Sequence, residues 1–264
     1  MIGTTWQELK SRHALLAWSG ALMLVFVVLG AALAVFDSRT VTGLNVWFKP
    51  IKFAASISIY LLTMAWYLQY LKPARPRTAR VMGTLIAVVM VVEYAAIFMQ
   101  GARGVISHYN YETPFDGLVF AAMGILISLN TFFLVYVLYL FLRNRPDIPQ
   151  PYLWGIRFGL LLFLVFGLEG RMMIGNNAHA IGVPDGGAGL PFLGWSTEGG
   201  DLRYAHFFGM HALQVLPISG WLLHKNGERL PFSPLVGVVI LSALYLALAS
   251  WILQTALQGI PIIS

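Results

Sequence analysis

Histidines are the residues of this chain best suited to chemistry, and four of the six fall toward one end of the predicted helices: His108, His179, His206 and His211. His206 and His211 are five residues apart, about 140° around a helix, so they cannot bind one metal ion as an i, i+4 pair would. His211 could instead meet His108 or His179 from another segment. Imidazoles from two segments would bind a transition metal, or a haem through its axial positions. The alternative is that they only hydrogen-bond loop carbonyls at the membrane interface.

Glu93 is a second candidate, because it interrupts an apolar run and ionisable groups inside a membrane are costly without partners. Gln100 follows it by two helical turns and therefore lies on the same helix face. Lys52, in the neighbouring predicted helix, is the expected partner. The pair would be a structural ion pair or part of a proton relay, and a protonated, unpaired carboxyl is the third alternative.

Further charged residues lie near the external histidines. Lys52, Arg103 and Arg171 would hold an anionic group, with Glu169 beside them. We predict a polar pocket that opens on the external side. Its residues are Lys52, Glu93, Gln100, Arg103, His108, Glu169, Arg171, His179, His206 and His211.

The composition indicates that membrane helices position these residues. Of 264 residues, 58% are hydrophobic and 11% are charged, with a mean hydropathy of +0.73, whereas soluble domains carry roughly 25% charged residues. The first apolar run is too long for a signal peptide and is predicted to be a retained helix. We predict an all-α integral membrane protein, a single domain over 1–264 built as a seven-helix bundle. The helices are about 14–36, 48–71, 81–100, 117–142, 152–174, 205–223 and 235–257.

The basic residues predict the orientation of these helices. Eleven of the 17 lysines and arginines lie in the N-terminal segment and in the alternate connections at 72–80, 143–157 and 225–229. Since basic residues favour the cytoplasmic side, the N-terminus is predicted to be cytoplasmic and the C-terminus periplasmic. The net charge of +6 then needs no nucleic-acid partner. The long connection 175–204, rich in glycine and proline, is predicted to be an ordered external cap.

Several chemistries are excluded by what the sequence lacks. Without cysteine there is no disulfide, thiolate metal site or cysteine nucleophile. The phosphate-cradling glycine loop, HExxH and G-x-S-x-G are missing too. A membrane hydrolase is disfavoured because no aspartate falls inside a predicted helix.

The segments Asn177–Ala180, Pro184–Gly187, Gly200–Arg203 and His211–Gln214 resemble a family of bacterial multi-pass inner-membrane proteins that has no assigned activity. The resemblance covers less than a quarter of the chain. It implies a bacterial inner membrane and nothing about catalysis.

Three functions are consistent with these patterns. The first is a metal- or haem-binding, redox-active membrane protein that uses the external histidines. The second is a transporter or receptor for a small anionic solute, with Glu93 relaying a proton. The third is an accessory subunit that packs its polar cluster against another membrane protein or a second copy. In each case the lipid bilayer is the surrounding partner.

Overall fold

The computed structural model describes residues 2–264, with side chains from residue 5 onward. Within this range seven α-helices and two short β-hairpins make up the fold. The chain divides into two compact units, residues 1–133 and 134–264, and the boundary falls inside the fourth helix. The sequence had predicted one membrane domain.

The first unit holds three complete helices and the start of a fourth. A hairpin of two-residue strands follows the first helix and pairs Thr40 with Asn45. A 3-10 turn at Gln69–Leu71 extends the second helix. The elements are α1 (Ile2–Phe36), β1 (Thr40–Val41), β2 (Leu44–Asn45), α2 (Phe48–Leu68), α3 (Pro76–Arg103) and α4 (Pro114–Arg143).

The second unit contains the remaining three helices. Its hairpin pairs Ala180 with Asp201 and joins α5 to α6, and a 3-10 turn at Gly227–Arg229 precedes α7. Gly200 packs so tightly on α7 that a Cβ there would lie 1.9 Å from the Ala256 carbonyl oxygen. The elements are α5 (Gln150–Asn176), β3 (Ala180–Ile181), β4 (Gly200–Asp201), α6 (Leu202–Lys225) and α7 (Pro234–Leu257).

Glycines allow α5 and α6 to pack at close range. A Cβ at Gly155 would lie 2.6 Å from the Leu216 carbonyl oxygen, and one at Gly159 would lie 2.8 Å from that of Ala212. This G-x-x-x-G spacing is typical of membrane helices whose backbones approach each other. The glycines therefore fix which face of α5 meets α6.

The first helix is broken at His13, whose φ of −159° and ψ of 97° are not helical. Its Nδ1 accepts a hydrogen bond from the Leu16 amide (3.3 Å), and its Nε2 donates to the Arg80 carbonyl (3.1 Å). His13 therefore caps a new helix that continues to Phe36. The predicted first crossing, 14–36, begins at this break.

By length and composition, six helices of the described chain could cross a membrane, and α6 is not among them. His206, His211, Gln214 and Pro217 interrupt the apolar residues of α6, so that it lacks an apolar stretch of membrane length. The prediction of an all-α, multi-pass type of membrane protein is confirmed at that level. Each predicted segment falls within one helix, except that the last three residues of 48–71 form the 3-10 turn after α2. Several helices begin earlier than predicted because a proline occupies their first turn.

Candidate functional site

Glu169 is the most unusual polar residue of the second unit, because it lies in a membrane-type helix and is only 6% exposed. Its Oε2 is 3.3 Å from Nδ1 of His206 on α6. Neither carboxylate oxygen accepts a hydrogen bond within residues 2–264. A buried carboxylate in which at least one oxygen accepts no hydrogen bond from these residues is termed here an open carboxylate.

His206 does not close this carboxylate, because its Nδ1 proton is directed elsewhere. Nδ1 lies 2.8 Å from the carbonyl oxygen of Phe166, which can only accept a hydrogen bond. In the neutral imidazole the proton is therefore on Nδ1, and Nε2 carries the lone pair.

His211 is oriented in the same manner one turn and a half further along α6. Its Nδ1 donates to the Phe207 carbonyl (2.8 Å), and its ring lies 4.1 Å from that of Phe207. Trp195, from the connection before α6, contacts Phe207 and Tyr204. This aromatic group attaches the connection to the helix that carries both histidines.

His179 is paired with Asp185 inside the same connection. Its Nδ1 donates to Asp185 Oδ2 (2.6 Å), and the Ala180 amide donates to Oδ1 (2.9 Å). Burial would raise the pKa of the Asp185 carboxyl, but the hydrogen bonds and charge of His179 outweigh it and hold that pKa well below its usual range. Asp185 is therefore an anion that stabilises the turn.

Asp201 holds the other end of the connection. Its buried carboxylate accepts bonds from the Ser196 amide (2.8 Å) and from the Arg203 amide and guanidinium (2.6–3.0 Å). Arg203 also donates to the Gly194 carbonyl. The stretch 177–201 thus has a defined conformation. A small, partly open pocket of about 80 Å³ lies beside it, and the charged residues of its lining are Asp185, Glu198 and Arg203.

In the first unit, Glu93 is also an open carboxylate: it is 5% exposed, and its Oε2 receives no hydrogen bond from the described residues. The predicted bond to Lys52 is therefore not made through this oxygen. Lys52 is half-buried in α2. The Lys52–Glu93 ion pair and the proposed ligand role of Lys52 stay predictions.

Arg103, predicted to bind an anion, already has one in the structure. Its guanidinium bonds to Asp116, which is 2% exposed, and to Gln100. Gln100 and Thr113 also donate to Asp116. This network joins the end of α3 to the start of α4.

His108 and Arg171 complete the set of predicted site residues. His108 is half-buried among the rings of Phe53, Tyr109 and Phe120, with Nδ1 3.0 Å from the Ser107 hydroxyl. Arg171 is exposed on α5. The convergence of His108 with His179 or His211 stays a prediction. Within residues 2–264, no three His, Asp or Glu side chains are placed to hold a metal ion together.

The sequence interpretation missed a motif that occurs in both units. Asp37 and Arg39 form the same clasp as Asp201 and Arg203: the aspartate accepts from the amide and the guanidinium of the arginine two residues later. Arg39 and Arg203 each bond a further carbonyl as well. The Asp-x-Arg spacing beside a predicted turn is the signal that could have revealed both.

Comparison with known proteins identifies no family. No family model, curated protein or solved structure matches the chain. The resemblance to a bacterial family and the inner-membrane location therefore stay expectations from the sequence.

Proposed function

We propose that this protein is a proton-coupled membrane transporter or receptor for a small solute, in which Glu169 and His206 share one exchangeable proton. The observation that carries the proposal is the open carboxylate of Glu169, whose Oε2 lies 3.3 Å from Nδ1 of an imidazole that directs its Nδ1 proton to the Phe166 carbonyl instead. Ionisable groups inside membrane helices are rare and usually mark proton or substrate pathways. Glu93 is a second open carboxylate of this kind.

The pair can exist in two states with the same number of protons. In one, Glu169 is a neutral acid and His206 a neutral imidazole. In the other, the carboxylate faces an imidazolium at 3.3 Å. Losing the shared proton would leave a buried carboxylate with neither a charge partner nor hydrogen bonds, which is unfavourable in a low-dielectric interior. The Glu169–His206 pair should therefore retain its proton until the surroundings of the pair change.

In this proposal all seven helices cross the bilayer, with the N-terminus in the cytoplasm. The 24 residues of α6 would extend about 36 Å, which exceeds the hydrocarbon thickness of about 30 Å. His206 is one of the polar residues that lower the hydropathy of α6. A proton site inside the membrane needs such a residue in a crossing helix. The alternate distribution of basic residues supports the orientation.

Topology can be tested by single-cysteine labelling, because the protein has no cysteine of its own. Cysteines at Thr78 and Ser233 should react with a membrane-impermeant reagent only from the cytoplasmic side. A cysteine at Thr197 should react only from the other side. Labelling of Thr197 and Ser233 variants from the same side would overturn the seven-crossing arrangement.

The proton itself can be observed by infrared difference spectroscopy between two pH values. We expect a titrating carboxyl band that disappears in Glu169→Gln and shifts in His206→Ala. Glu198→Gln is the matched control, because Glu198 is an exposed glutamate of the same unit. A spectrum in which no band depends on Glu169 would overturn the shared proton.

Solute coupling is tested by thermal-shift screening at two pH values, beginning with small anions. A solute that stabilises the wild type in a pH-dependent manner should lose that dependence in Glu169→Gln and keep it in Glu198→Gln. Stabilisation that is independent of pH in the wild type would argue for simple binding.

Metal or haem binding is the second candidate, and one observation favours it. Nδ1 of His179, His206 and His211 is each held by a carboxylate or a carbonyl, as is usual for histidines that bind a metal through Nε2. An open apolar groove lined by α6 and α7 residues such as Leu222 and Leu241 has no histidine in its lining, so it offers no such ligand. Elemental analysis and a visible absorption spectrum of the wild type and His211→Ala would decide: a stoichiometric metal or a Soret band lost in the variant would favour this candidate.

A further inference from the structure

The first residues of α1 form a separate segment that folds back beside the membrane helix. Trp6 and Trp18 are 12 residues apart, about 18 Å along a straight helix. Their ring centroids are only 5.1 Å apart, in an edge-to-face contact. The break at His13 makes this contact possible. We define residues 5–12 as the N-terminal foot.

The foot is fixed to α2 and to the connection after it. The Arg12 guanidinium lies 3.7 Å from the centre of the Trp66 ring and donates to the Trp66 carbonyl (3.1 Å). Lys72 Nζ donates to the carbonyls of Ser11 and Arg12. These carbonyls lie at the end of a helical segment, where a cation is a favourable cap. These contacts hold the N-terminal foot in a defined position.

This junction concentrates positive charge. Residues 5–12 and 72–80 contain six lysines and arginines and one acid, Glu8, which is paired with Arg12 (2.7 Å). We define Arg12, Lys72 and Arg80, whose charges act on one another, as the cationic cluster; Lys10 lies in the N-terminal foot two residues before Arg12. Burial, followed by the charges of Arg80 and Arg12, lowers the pKa of Lys72. Six basic residues against one acid leave an excess of positive charge at this junction, which an anion would offset.

The cluster lies next to a surface suited to lipid. Lys10 Nζ is 5.7 Å from the ring of Trp6 and 5.9 Å from that of Trp18. Trp18 is 57% exposed, and Leu15 and Leu22 are more than 40% exposed on the same helix. Tryptophan favours the headgroup level of a bilayer, and lysines or arginines at that level attract anionic lipid. The apolar surface continues from the cluster directly into the membrane-type part of α1.

We propose that the cationic cluster and the N-terminal foot form a binding site for the phosphate of an anionic phospholipid in the adjacent leaflet. Lys10 and Arg80 would contact the headgroup. Trp6 and Trp18 would lie at the boundary between headgroups and acyl chains. Arg12 and Lys72 would mainly position the foot. This inference is independent of the proton site in the second unit.

The test uses the full-length protein in liposomes of phosphatidylcholine and phosphatidylglycerol, extracted into mild detergent and analysed by native mass spectrometry. The wild type should retain phosphatidylglycerol in preference to phosphatidylcholine. Lys10→Gln/Arg80→Gln should reduce this preference by roughly tenfold, since each cation near the surface contributes substantially to anionic-lipid binding. Circular dichroism and melting temperature establish that the variant is folded.

Arg145→Gln is the control, because it removes an exposed cation from another connection. It should leave lipid retention unchanged. An equal loss in Arg145→Gln would overturn a built site in favour of diffuse surface charge. Unchanged retention in the folded double variant would overturn the proposal as well. Titration with inorganic phosphate in nonionic detergent separates the two phosphate sources, and stabilisation by free phosphate equal to that by phosphatidylglycerol would overturn the assignment to lipid.

Discussion

The acids at helix ends and in connections differ from those inside the membrane-type helices. Asp37, Asp116, Asp185 and Asp201 each accept hydrogen bonds from an arginine or histidine and from at least one further group. Glu93 and Glu169 are open carboxylates. These four aspartates therefore stabilise the fold, whereas the two glutamates make no such contribution at their open oxygens and are the residues to which the proposed function assigns a proton.

The largest effect on stability is expected for Asp201→Ala. Loss of the Asp201 carboxylate would leave the Arg203 guanidinium and the Ser196 amide without their shared acceptor. Breaking a buried charge pair in this way costs about 3–5 kcal/mol, or roughly 10 °C in melting temperature. Thermal unfolding followed by circular dichroism checks this. Glu198→Ala, at an exposed position, should melt like the wild type, and a similar melting temperature for both variants would contradict the structural role of Asp201.

A smaller loss is expected for Asp37→Ala, although the clasp is the same. Asp37 and Arg39 have side-chain exposures of 21% and 50%, against 0% and 23% for Asp201 and Arg203. Water can replace the lost bonds in the more exposed clasp. The melting temperature should fall less than in Asp201→Ala and should depend more on salt. If Asp37→Ala were the more destabilising change, burial would not explain the difference between the clasps.

Acid should weaken the Asp185–His179 pair over a defined range. The folded-state pKa of Asp185 lies below its ordinary value of 3.8. The stabilising contribution is therefore fully present above that value and is lost as the pH falls through the lower folded-state pKa. Melting curves between neutral and acidic pH should show this decline, and Asp185→Asn should lack that part of it. Parallel curves for the two proteins would contradict the assignment.

The smallest effect on stability is expected for changes at the two open carboxylates, Glu169 and Glu93, although their effect on function should be the greatest. Glu169→Gln and Glu93→Gln remove no hydrogen bond at the open oxygens and should change the unfolding free energy by less than about 1 kcal/mol. A strong destabilisation by Glu169→Gln would mean that its carboxylate is a structural partner of His206. The difference between aspartates and glutamates would then disappear.

Sequence reasoning was sufficient for the helices, because apolar runs of membrane length leave few alternatives. It also selected Glu93 and Glu169, since charges interrupting such runs are conspicuous. The partner of Glu169 could not be predicted, because it depends on which faces of α5 and α6 meet, and Gly155 and Gly159 determine that through backbone contacts. Arg103 was predicted to bind a ligand because its actual partner, Asp116, could not be recognised from the sequence. The two residues are joined by a loop whose course depends on positive φ at Gly104 and Tyr109.

The close packing of Gly200 against the Ala256 carbonyl oxygen has a consequence for biosynthesis. The surface that receives the hairpin lies 56 residues further along the chain, near the end of α7. At about 5–20 residues per second, the ribosome needs roughly 3–11 s to supply it. During that interval the hairpin can contact α6 but lacks the α7 surface that Gly200 packs against. We therefore expect this stretch to be more open to proteases in the nascent protein than in the finished one, until the last helix has been inserted.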